Sequence, residues 1–250
     1  MRLFFFGLAG LAAAGLTAVG GAPGRRFYLV MSLVLAAIVA FGFSHTVPFD
    51  LRPPGLPPML QLHAAVFVAW VLLFVAQPVL VANRAVATHR KLGWAGTGLA
   101  AAMLLMGGYA ILFALRADSV PPFYSHGLFL VRGILGLTVF AGLITAAIVM
   151  RRRLEWHRRL MLCASIAVIV PGLERALPFP ALGPHWYFAA DAVVDLIALI
   201  GPAMDVIKRH RVHPAYYWGV GALVTGQVIT DMLANAGVVA TALNALGARS

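Results

Sequence analysis

Apolar residues run along this chain in long, non-alternating stretches, and polar residues gather between them. A helix needs about 20 mostly apolar residues to cross a bilayer. The pattern predicts seven core spans, at roughly 27–43, 60–82, 93–115, 126–149, 160–177, 186–207 and 215–235. Backbone polar groups in lipid must be satisfied within the segment, which helices achieve. The lack of period-two alternation argues against a barrel. The expected fold class is therefore all-α, a polytopic transmembrane helical bundle. Connections are short, which favours antiparallel neighbours.

Residues 26–236 form one expected transmembrane domain. Residues 1–25 are an apolar N-terminal segment, and their stretch 3–20 is an eighth span, a signal-like segment or a non-native extension. Cleavage would leave Arg25 and Arg26 outside, which favours an uncleaved segment. Residues 237–250 are read as a short tail with interfacial helix character.

Composition sharpens this picture. The chain is 62% hydrophobic and 11% charged, so a soluble core is excluded. Its formal charge of +11 sits at span ends rather than in a basic domain, which excludes nucleic acid as the partner. One set of loops carries Arg25, Arg26, Arg84, Arg90, Lys91, Arg151, Arg152, Arg153, Arg158, Arg159, Lys208, Arg209 and Arg211. The opposite set carries Arg52, Arg116 and Arg175. The positive-inside rule makes the first face cytoplasmic, in a bacterial inner membrane. Cys163 stands alone, so neither an internal disulfide nor a cysteine metal site is available.

A direct repeat carries the main chemical signal. Residues 57–92 run from Pro57-Pro58 through His63 to His89-Arg90-Lys91-Leu92. Residues 121–160 run from Pro121-Pro122 through His126 to His157-Arg158-Arg159-Leu160. Each unit places an imidazole near either end of a span, with His89 and His157 at span entrances. Imidazole is a common ligand of haem iron and zinc. Headgroup anchoring needs positive charge but not a histidine twice in one place. Two imidazoles on one iron, with Arg90 and Arg158 on the propionates, would account for both parts of the motif. Glycines 127, 133, 136 and 142 in the fourth span permit close approach.

Ionisable residues inside spans are rare and face the bundle interior. Arg132 lies about 9 Å deeper than His126 at 1.5 Å per residue. Asp191 and Asp195 share a helix face at i,i+4, as do Gln227 and Asp231. Glu174 and Arg175 end the fifth span. Mutual pairing is expected, with Arg132 meeting Asp191 or Asp195. At the cytoplasmic face, Asp205 is a candidate to orient an imidazole, and His213-Pro214 marks the entry to the seventh span.

The run His63, Trp70, Gln77, His89-Arg90-Lys91-Leu92-Gly93 resembles a group of uncharacterised bacterial multi-pass membrane proteins. So do His157-Arg158-Arg159-Leu160-Met161, Arg175, Asp205 and Arg211-Val212-His213-Pro214. That likeness spans roughly residues 25–235 and brings no activity with it. The histidine layout also resembles, in architecture, two-haem membrane cytochromes of the b561 type. This second resemblance implies electron transfer through haem b, with His63 and His126 on one haem and His89 and His157 on the other.

Three functions follow as expectations. The first is bis-histidine haem b electron transfer, with a redox partner or membrane complex subunits beside the lipid bilayer. The second is proton-coupled small-molecule transport through Arg132, Asp191 and Asp195, or a non-catalytic membrane subunit with no cofactor. The third is a zinc-dependent hydrolase using His63, His126 and either Asp191 or Asp195, with water at the open position.

Overall fold

The computed structural model describes residues 10, 23–44, 57–177, 179–183, 186–234 and 236–247. The expectations for residues 3–20, other than Gly10, and that for Arg52 lie outside the described residues. The described chain is all-helical, without a strand. Its helices are α1 (Pro23–Ser44), α2 (Pro58–Ala82), α3 (Val86–Arg116), α4 (His126–Val149), α5 (Leu154–Ala176), α6 (Trp186–Arg209), α7 (Pro214–Leu233) and α8 (Gly237–Ala245).

Each of the seven expected spans falls on a helix, yet among the described residues four stretches are long and apolar enough to cross a membrane. These are Arg26–Ser44, Pro58–Ala82, Val86–Arg116 and His126–Arg152. The other long helices carry the ionisable groups that dilute their hydropathy. Glu155, Arg158, Arg159, Glu174 and Arg175 lie on α5, Asp191, Asp195 and Asp205 on α6, and Asp231 on α7. Large apolar side chains nonetheless face outward, including Leu105, Leu196, Ile207 and Met232. Such exposure is unfavourable in water and ordinary in lipid. These apolar helices are compatible with an integral membrane protein.

Two helices begin earlier than the hydropathy pattern suggests. α3 starts at Val86 rather than 93, and α5 at Leu154 rather than 160. Polar residues end an apolar run without ending a helix, and both starts take in basic residues. His89 and His157 are consequently helical, each the fourth residue of its helix.

The chain divides into two compact units. One comprises Met1–Met103 with Ile169–Pro178, the other Leu104–Val168 with Phe179–Ser250. In the first, α1 packs on α2, with Leu29, Val79 and Ala82 gathered around Leu33. Gly42 of α1 also crosses Gly172 of α5 so closely that a Cβ on Gly42 would overlap the Gly172 carbonyl. In the second unit, α4 and α6 pack on α7, and α8 folds back on α4. Ile111, Leu115, Leu130, Val131, Val239 and Leu243 form its buried apolar cluster. Gly127 and Gly133 are the close-packing glycines of α4. A Cβ on Gly127 would come within 2.5 Å of the Ala234 carbonyl oxygen, and one on Gly133 within 2.6 Å of Ile111 Cδ1. Gly136 and Gly142 face open space, contrary to a shared packing role.

Gly42→Ala should destabilise the first unit by roughly 1–3 kcal/mol, because backbone rather than a flexible side chain blocks the new methyl. Gly136→Ala should be neutral or add up to about 1 kcal/mol through helix propensity. Thermal unfolding in detergent compares the two. Equal melting temperatures would remove the proposed α1–α5 close contact.

Candidate functional site

Within the second unit, three helices bring their ionisable groups together. α4 contributes Arg132, α6 contributes Tyr187, Asp191 and Asp195 at successive i,i+4 positions, and α7 contributes Gln227 and Asp231. Arg132 donates to Asp191 through two arms, Nη1 to Oδ2 at 3.2 Å and Nη2 to Oδ1 at 2.7 Å. Both side chains are 10% exposed, so this bidentate pair is shielded from water. Asp195 engages Gln227, and Asp231 lies within electrostatic reach of Asp191 and Arg132. One oxygen of Asp195 and one of Asp231 is buried without a hydrogen-bond partner among the described residues. Asp191 lies within electrostatic reach of both other carboxylates, whereas the Arg132 guanidinium pairs with Asp191 and reaches Asp231.

Aromatic residues close one end of this cluster. Trp186, one position before Tyr187, donates its indole N–H to the Phe123 carbonyl at 3.1 Å. The rings of Phe123 and Tyr124 meet Trp186 edge-on at 5.3 and 5.2 Å. Glu174 and Arg175, expected in the same group, belong to the other compact unit. There Glu174 is buried, and Arg175 lies 4.9 Å from the Phe43 ring and donates to the Pro171 carbonyl.

A second cluster sits where α5 begins and α6 turns into α7. Arg159 is 1% exposed and holds Asp205 with two arms, its Nε at 2.9 Å from Oδ2 and its Nη2 on Oδ1. Its Nη1 donates to the Glu155 backbone oxygen and carboxylate, at 2.9 and 2.6 Å. The guanidinium also lies 5.4 Å from the Tyr216 ring centre. Glu155 in turn receives Arg158 at 2.6 Å and Arg209 at 2.8 Å. Partial burial alone would raise the Glu155 carboxyl. The Arg159 hydrogen bond and the charges of Arg158 and Arg159, with Arg209, instead hold it at about 2.

Asp205 was expected to orient an imidazole, but it accepts the His213 backbone N–H at 3.2 Å. His213 caps α7, with its Nδ1 accepting from the Ala215 N–H at 3.2 Å. That bond assigns the proton to Nε2. Burial, then the Arg159 charge, push the His213 ring below its usual value, so it stays neutral at physiological pH.

The repeated histidines differ in their surroundings. In the first unit, His63 lies within α2 with its ring 4.5 Å from Phe67, and His89 lies in the first turns of α3. In the second, His126 opens α4 and donates from Nε2 to Asp118 at 3.0 Å. His157 donates from Nδ1 to the Ala147 carbonyl at 2.8 Å, leaving Nε2 as its acceptor. A backbone carbonyl on one ring nitrogen is the arrangement that orients many ligating histidines. Arg158, assigned to a propionate, gives its Nη2 to Glu155. Each expected histidine pair takes one member from each unit. Among the described residues, no three His, Cys, Asp or Glu side chains stand together as a metal site would need.

No family model, curated protein sequence or solved structure matches this chain. The geometry is therefore what bears on function. It includes residues the sequence did not single out, namely Glu155, Arg209, Tyr187 and Asp118. The available signal for the first was Glu155 four residues before Arg159 on one helix face.

Arg132→Ala should cost about 3–5 kcal/mol by leaving Asp191 shielded and unpaired. Arg132→Met with Asp191→Leu should recover most of that loss. Equal melting temperatures for the single and double variants would show that the pair is not coupled. The Glu155 tie should add stability that is complete above the ordinary value of 4.5 and lost as pH falls towards about 2. An acid unfolding series read by circular dichroism should lose that slope in Glu155→Gln.

Proposed function

We propose that this chain is a seven-span protein of the bacterial inner membrane, with its arginine-rich loops cytoplasmic, that relays protons in coupled transport of a small solute. The relay is the cluster of Arg132, Asp191, Asp195 and Asp231. The observation that carries this reading is its charge count: three helices bring together one guanidinium and three carboxylates, and two of those carboxylates keep a buried oxygen without a donor among the described residues. Charged groups at membrane depth are costly and mark ion and proton pathways. Arg132 fixes Asp191 in a fork, so Asp195 and Asp231 are left to gain and lose a proton without disturbing that pair. Gln227 beside Asp195 supplies a neutral amide that can donate to the ionised carboxylate. The placement of the three ionisable helices α5, α6 and α7 as spans belongs to the same proposal. Their charges are tolerated in a bilayer when they point at one another.

Purified protein in vesicles holding a pH-sensitive dye tests it. An imposed potential should drive proton entry, and Asp195→Asn or Asp231→Asn should cut the rate by at least about tenfold, in the range of lost proton-transfer groups. Leu196→Ala, on an outward-facing position, should leave it unchanged. Wild-type flux in both folded Asn variants would end the relay reading. A Soret band lost in His157→Ala, without proton flux, would instead favour bis-histidine haem b and electron transfer.

A further inference from the structure

The turn between α6 and α7 belongs to neither the relay nor the repeated histidines, yet it concentrates cationic donors. It runs Lys208-Arg209-His210-Arg211-Val212-His213-Pro214. His210 adopts φ 56°, the left-handed region, which reverses the chain in few residues. Arg209, Arg211, Val212, His213 and Pro214 line a depression there. Arg211 is exposed and has no acidic partner among the described residues. Arg209 gives one arm to Glu155 and keeps others. Glu155 accepts from three arginines, and Asp205 from Arg159 and the His213 N–H, so the arginines at this end, Arg158, Arg159, Arg209 and Arg211, outnumber the two carboxylates and leave the turn net positive. His213 offers Nε2–H, because its Nδ1 is committed to the α7 cap. These are two forked cations and one neutral donor around a concavity, the chemistry that receives a phosphate oxygen group.

A second observation separates lipid from free anion. Large apolar and amphipathic side chains stand out on both sides of this turn in sequence. Ile207 is 72% exposed on α6, and Tyr217 and Trp218 are 66% and 71% exposed on α7. A site for a soluble anion gains nothing from such neighbours. A phospholipid needs them, since its acyl chains leave the phosphate along an apolar wall, and Tyr and Trp favour headgroup depth.

We propose that the α6–α7 turn binds the phosphate of an anionic phospholipid, held between Arg209 and Arg211 with His213 as an additional donor. The site is independent of the proton relay. The test uses the full chain in nanodiscs of phosphatidylcholine with increasing phosphatidylglycerol, reading retained lipid by native mass spectrometry. Phosphatidylglycerol should be retained preferentially. Arg211→Gln should lower its retention about fivefold, the factor one cation contributes at an anionic surface. Its melting temperature in pure phosphatidylcholine should not change, because Arg211 supports no internal pair. His213→Asp keeps an acceptor for the α7 cap while replacing the ring donor with an anionic acceptor, and it should weaken retention further. Millimolar inorganic phosphate should leave retention intact. Equal retention of the two lipids, retention unaffected by Arg211→Gln, or full displacement by inorganic phosphate would each overturn the proposal.

Discussion

A guanidinium withdrawn from water must replace its hydration with acceptors, and Arg159 does this with two carboxylates and a backbone carbonyl. Its solvation cost amounts to several kcal/mol, so the side chain can be 1% exposed only if the acceptors arrive from fixed places. Glu155 comes from the same helix one turn earlier, and Asp205 comes from α6. Asp205 also accepts the His213 N–H, and His213 caps α7. One buried cation thus fixes the start of α5, the end of α6 and the start of α7. Loss of any acceptor leaves charge unsolvated in a shielded place. That is why a local set of hydrogen bonds governs the geometry of a whole end of the second unit.

Arg132 solves the same problem with a different remainder. It too forms a fork with a carboxylate, but its neighbourhood holds two further acids, each with a buried oxygen that no hydrogen-bond donor meets among the described residues. Around Arg159 each carboxylate is met by at least one arginine. Around Arg132 carboxylates are in excess. A structure held only for stability gains nothing from surplus carboxylates in a shielded place, since each raises the electrostatic cost of the others. The contrast between a cluster whose carboxylates all meet arginines and one in the same unit whose carboxylates do not is the physical ground for giving the second a chemical role.

Helical class was legible in the sequence because hydropathy reports which backbone can be buried. It located every long helix but missed two starts, at Val86 and Leu154, because basic residues extend a helix as readily as they end an apolar run. It also weighed seven stretches alike, although four among the described residues meet the length and hydropathy of a span. In the polar cluster, i,i+4 spacing announced Asp191 with Asp195 and Gln227 with Asp231, since spacing fixes a helix face. Spacing cannot say which helix lies opposite. The sequence therefore left Arg132 undecided between two aspartates and grouped Glu174 with residues of a different unit. Asp118 was passed over for a similar reason, because it lies in a turn and meets His126 through tertiary geometry.

The repeat itself reads differently once its helices are known. His89 and His157 hold the same position, fourth in α3 and fourth in α5. His63 and His126 do not, for one lies within α2 and the other begins α4. The shift arises because α2 starts at Pro58, whereas the chain after Pro121-Pro122 stays non-helical until Ser125 caps α4. Shared sequence thus became shared geometry at only one end of the duplicated segment. At the other end, His126 is tied to Asp118 and His63 packs on Phe67, two environments that give the rings different hydrogen-bonding duties.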